Sequence, residues 1–92
     1  MNEIPNLLII NLNKNISKKY IKFIFEKILG KDCLKEISIE NKNIVNTAIL
    51  KFNKMIPESE IKELILNRLN QNLDIKFVHN KYDIWKCKIL KN

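Results

Sequence analysis

A single glycine among 92 residues leaves no material for a glycine-rich phosphate loop or a dinucleotide-binding turn. Two cysteines, Cys33 and Cys87, and one histidine, His79, make no CxxC pair, no zinc set and no disulfide framework. The two thiols read as small apolar residues, and a reduced intracellular compartment, nucleus or cytoplasm, is expected. No apolar run approaches the ~20 residues of a membrane span. The opening MNEIPNLLII has no basic leader, so no secretory signal is expected. Catalytic sets are equally scarce. A Ser-His-Asp set must join His79 to Ser17, Ser38 or Ser59, and none of these has the surroundings of a nucleophile elbow or an oxyanion hole. Glu58 and Glu60 fall where a helix is predicted to start, and the helix dipole accounts for them there. The chain reads as a non-enzyme, with no cofactor and no metal.

What the chain has in abundance is isoleucine (17), lysine (16) and asparagine (14), with Arg68 as the one arginine. The apolar share of 46% suits one packed core rather than a disordered tail, and the length suits a single domain over 1–92. The net charge of +7 points to an anionic partner. All three abundant residues have A/T-rich codons, however. An A/T-rich genome raises lysine at exposed sites without selection for a basic patch, so local placement must carry the case.

Hydrophobic periodicity divides the chain into seven elements. Asn6–Leu12 is a short apolar run, suited to a strand buried on both faces or on one face with an apolar second face. Ile16–Leu29 is a helix with Ser17 as cap, Ile16 and Ile21 as a hydrophobic staple, and Gly30 at its end in the left-handed conformation. Leu34–Glu40 alternates, with Ile37 and Ile39 on one face and Glu36, Ser38 and Glu40 on the other. Asn41–Asn43 is a turn, and Ile44–Phe52 is the next strand. Pro57 suits the first position of a second helix, whose stripe is Ile61, Leu64, Ile65 and Leu69. Leu73–Val78 and Asp83–Leu90 are strands around a turn at Asn80–Lys81. The order is β-α-β-β-α-β with a small extra strand before the last. The helices are expected to pack on one sheet face through Ile21, Phe25, Ile28, Ile61, Leu64, Ile65 and Leu69.

These residues resemble the RNA recognition motif family. LLIINL at 7–12 is similar to its hexamer motif, with Asn11 and Leu12 in the closing positions. The segment 24–39 is similar to its helix end, glycine and second strand, lengthened by about two residues. VNTAILKF at 45–52 is similar to its octamer motif, with Ala48, Leu50 and Phe52 facing the core. The resemblance covers nearly the whole chain, in spacing more than in identity. It implies an α+β, ferredoxin-like βαββαβ sandwich with two helices on one face of a four-stranded antiparallel sheet. It also implies RNA binding in a ribonucleoprotein setting. The family stacks bases on aromatic rings of the open sheet face. Here the corresponding positions are Leu8, Thr47 and Ile49, the leading basic residue is Val45, and the glycine is Asn46.

An aliphatic patch of Leu8, Ile10, Val45, Thr47 and Ile49 therefore takes the place of the rings. Lys51, Lys86 and Lys88 are expected to frame it, with Lys14 and Lys42 adding phosphate contacts from the loops. Two partners stay open. One is RNA, single-stranded or structured, held through those lysines. The other is a protein or a second copy held through the patch, with no RNA contact; a ferredoxin-like protein unrelated to RNA motifs is a further alternative. Only Lys91 and Asn92 follow the last predicted strand, little chain to cover the face. Trp85 reads as core beside Cys87 and Ile89 rather than as a base-stacking platform, while His79 and Tyr82 flank the turn before the last strand and read as ordinary turn residues, with base stacking as the alternative for either.

Overall fold

The computed structural model describes residues 3–90, so Lys91 and Asn92 lie outside it. Its elements run β1 (Leu7–Leu12), α1 (Lys18–Leu29), β2 (Leu34–Glu40), β3 (Asn46–Phe52), α2 (Glu60–Asn70), β4 (Ile75–Asn80) and β5 (Asp83–Ile89). All five strands form one antiparallel sheet in the order β2-β3-β1-β5-β4. The expected four-stranded sheet is thus corrected to five. The two-residue connection Lys81–Tyr82 folds β4 back onto β5, and β4 becomes the outer edge.

Register explains which residues go inside. Leu7 lies between Leu50 and Ile89, and Ile9 between Ala48 and Cys87. A bulge between Ile9 and Leu12 adds one residue, so Leu12 also turns inward, opposite Asn46. Trp85, Cys87, Ile75 and Phe77 complete the inner face. Phe25 of α1 sits over it, edge-on to Phe52 and Phe77 and stacked along Trp85. Leu8 and Ile10 are half-buried on the opposite face, so β1 is a strand with an apolar second face.

Both helices begin at serines. The Ser17 hydroxyl accepts from Tyr20 N–H and that of Ser59 from Lys62 N–H. The second cap corrects the start of α2: Pro57 and Glu58 precede the helix. The buried stripe also changes, to Lys62, Ile65, Leu66 and Leu69, leaving Ile61 and Leu64 exposed. Residues 61, 64, 65, 66 and 69 are all apolar, so two overlapping arcs were available and packing selected one. Lys62 follows its stem into the core, where its ammonium donates to Ile56 O (2.9 Å) and pairs with Glu58 (2.8 Å). Gly30 ends α1 at φ 106°, ψ 166°, a mirror-extended conformation rather than the expected left-handed helical one; both are open to glycine.

Candidate functional site

Alternation places a second set of side chains on the sheet face opposite the helices. Strand pairing arranges them in rows. Glu36 lies opposite Lys51. The next row is Ser38, Ile49, Leu8 and Lys88. The one after begins with Glu40 and Thr47 on β2 and β3 and ends with Lys86 and Lys76 on β5 and β4. Val78 and Ile84 make the last pair. The face is acidic along β2, aliphatic in the middle and basic along β4 and β5.

The five lysines expected to contact phosphate divide into two groups. Lys51 pairs with Glu36 at 3.5 Å and Lys42 with Glu40 at 3.4 Å. Lys14 donates to the backbone carbonyl of Lys42, which ties the β1–α1 loop to the β2–β3 loop. Lys86 and Lys88 have no carboxylate partner among the described residues. Neither has Lys76, which the sequence reading missed and which stands directly opposite Lys86. Its signal was present in the alternation of LDIKFV, where Ile75 and Phe77 face inward.

Leu8, Ile10, Thr47 and Ile49 lie on strands as expected and are half-buried. Val45 is also half-buried, but it precedes β3, which begins at Asn46 rather than at Ile44. The bulge gives Asn11 a role that the sequence reading did not assign. Its carboxamide donates to Ile84 O and accepts from Lys86 N–H, both at 2.8 Å. Those bonds hold β5 to β1 just beyond their last ladder pair, Ile9 with Cys87, and they fix the backbone that carries Lys86.

A second cluster anchors the β4–β5 hairpin from the inner side. His79 is not a turn residue: it belongs to β4, and its side chain is only 2% exposed. Nδ1 lies 3.0 Å from the Tyr20 hydroxyl of α1, and Nε2 lies 2.8 Å from Asp83 Oδ2 at the start of β5. One tautomer satisfies both contacts: Nε2–H donates to the carboxylate and Nδ1 accepts from the Tyr20 hydroxyl. The imidazole stacks on Trp85, with centroids 4.2 Å apart, and Tyr20 meets the same indole edge-on. Trp85 is fully buried, as its apolar register suggests, although its indole N–H has no partner.

Both nitrogens of His79 are engaged, and its partners are Tyr20 and Asp83 rather than a serine. Ser17 and Ser59 serve as caps, and Ser38 lies on β2 at the far edge of the sheet. The arrangement ties helix to hairpin. The thiols are buried on the inner side, where desolvation pushes Cys33 up to about 11 and Cys87 up to about 12. Among the described residues no three His, Cys, Asp or Glu side chains gather to hold a metal, and no helix is long and apolar enough to cross a membrane. In comparison with known proteins, no family model, curated protein or solved structure matches this chain, so its open sheet face has to be interpreted from its own side chains.

Proposed function

We propose that the chain is an RRM-like, ferredoxin-like binding module for single-stranded RNA, acting through phosphate contacts at the β4–β5 side of the open sheet face. One observation carries this reading. Lys76 and Lys86 stand directly opposite each other, with Lys88 two residues along β5, and no carboxylate pairs any of them among the described residues. Like charges directly opposite each other across a strand pair destabilise a sheet. A bound anion relieves that repulsion. The neighbouring Leu8, Ile10, Val78 and Ile84 offer apolar contact to bases and riboses. Lys14, Lys42 and Lys51, engaged within the protein, contribute less. The strand order supports the fold part of the reading: β2-β3-β1-β5 is a ferredoxin-like arrangement, and β4 extends it by one strand.

The test is titration of a labelled single-stranded RNA at several salt concentrations. Three phosphate contacts give a slope of log K against log salt of about −2. Replacing Lys76 and Lys86 by glutamine reduces that slope. Absence of binding even at low salt refutes the reading.

The acidic β2 edge favours a second reading, self-association. Glu40 lies in the same transverse row as Lys86 and Lys76. A two-fold axis parallel to the strands, placed above the face, lays Glu40 of each copy over those lysines of the other and joins the aliphatic centres. Sedimentation distinguishes the readings. A dimer that Ile49→Asp dissociates supports self-association, and a wild-type monomer excludes it.

A further inference from the structure

The open face lacks rings where bases would stack, yet one ring is presented at its border. Tyr82, at the tip of the β4–β5 hairpin, is 84% exposed. The other exposed large aromatic among the described residues is Phe23, 55% exposed, on α1 and so on the side of the sheet away from the open face. Tyr82, in the two-residue connection, immediately precedes Asp83, and Ile84, Lys86 and Lys88 follow it at the outward-facing positions of β5. The exposed pair Val78 and Ile84 lies between the ring and the lysines.

The tip is held firmly for a surface turn. Asn80 Oδ1 accepts from Tyr82 N–H at 2.7 Å. Just inside it, His79 is fixed by Tyr20, Asp83 and Trp85. Lys81 places its ammonium 5.0 Å from the Tyr82 ring centroid, so ring and positive charge come as one unit. From Tyr82 to Lys88 the strand runs about 20 Å, room for a few nucleotides of extended chain.

We propose that Tyr82 is a base-stacking platform, displaced from the sheet centre to the hairpin tip, at one end of a track formed by Lys81, Lys76, Lys86 and Lys88. This inference rests on the nucleic-acid reading above and sharpens it. A ring at a tip reaches the face of a base only when that base is unpaired, so the substrate is a single strand rather than a duplex. Every base has a π-face, so recognition at Tyr82 tolerates sequence.

Two probes of equal length separate stacking from charge: a labelled oligouridylate and a ribose-phosphate strand without bases. Tyr82→Ala weakens oligouridylate binding about fivefold or more. Tyr82→Phe retains it, and the salt slope does not change, because no charge is lost. The base-free strand binds wild type and Tyr82→Ala alike. Three results count against the proposal. If Tyr82→Ala binds oligouridylate as wild type does, while Lys76→Gln with Lys86→Gln still lowers the slope, the stacking site is refuted and the RNA reading stands. If Tyr82→Ala weakens both strands equally, the ring is not stacking on a base. If wild type binds neither strand at low salt, both readings fall. Tyr82 packs against no core residue, so its variants fold, and far-UV circular dichroism verifies this.

Discussion

Replacing His79 by phenylalanine separates hydrogen bonding from stacking in the hairpin anchor. The new ring can keep its place against Trp85, which now lies 4.2 Å from the imidazole at an interplanar angle of 19°. The bonds to Tyr20 (3.0 Å) and Asp83 (2.8 Å) are lost. The Asp83 side chain is 32% exposed, so water replaces its partner, at a cost of about 0.5–1 kcal/mol. The Tyr20 hydroxyl is only partly accessible, and leaving it unsatisfied costs about 1–3 kcal/mol. The expected total is about 2 kcal/mol, or roughly 10 °C in Tm for a domain of this size. Tyr20→Phe alone costs about 1 kcal/mol. The double variant has no orphaned hydroxyl, so its loss falls short of the sum of the single losses by about 1 kcal/mol. Urea unfolding followed by the fluorescence of Trp85, the only tryptophan, measures all three variants, with an unchanged m-value as the control. A His79→Phe loss below about 0.5 kcal/mol, or additive single variants, refutes the anchor.

The corrected register of α2 predicts that Leu66→Ala destabilises by about 2–4 kcal/mol while Leu64→Ala stays within about 0.5 kcal/mol, again by urea unfolding. Ser17→Ala and Ser59→Ala each remove a helix cap and cost about 1 kcal/mol; a thermal melt is sensitive enough to detect either. The buried thiols have pKa values raised from 9.0 to about 11 at Cys33 and about 12 at Cys87. Their contribution to stability is therefore whole below pH 9 and is lost as pH rises through the folded-state values, because the unfolded thiols ionise first. Cys87→Ala accordingly loses less stability than wild type between those pH values. A maleimide at neutral pH labels neither thiol until urea is added.

Much of the fold was legible because short-range rules agreed with one another. Ser17 and Gly30 bracket α1, and the apolar spacing between them has one solution, so the predicted and observed buried faces coincide there. In α2 the apolar residues form two overlapping arcs, and local pattern cannot choose between them. A buried lysine is also invisible to periodicity, because Lys62 is tolerated only where Ile56 O and Glu58 meet its ammonium. The aliphatic face was legible from alternation alone. Its electrostatics were not, because whether a lysine is paired depends on cross-strand register. Register gave Lys51 to Glu36 and set Lys76 against Lys86.

The sequence by itself determined the order of the elements, the extra strand before the last, the central place of β1 residues in the core, and the lack of rings at Leu8, Thr47 and Ile49. These follow from period, caps and composition, which act over a few residues. Only the tertiary structure decided which lysines stand unpaired. It also gathered Tyr20, His79, Asp83 and Trp85 into one anchor and set Tyr82 at the border of the open face. Tyr20 and His79 are 59 positions apart in the chain, and the packing of α1 against the sheet alone brings them within hydrogen-bond reach.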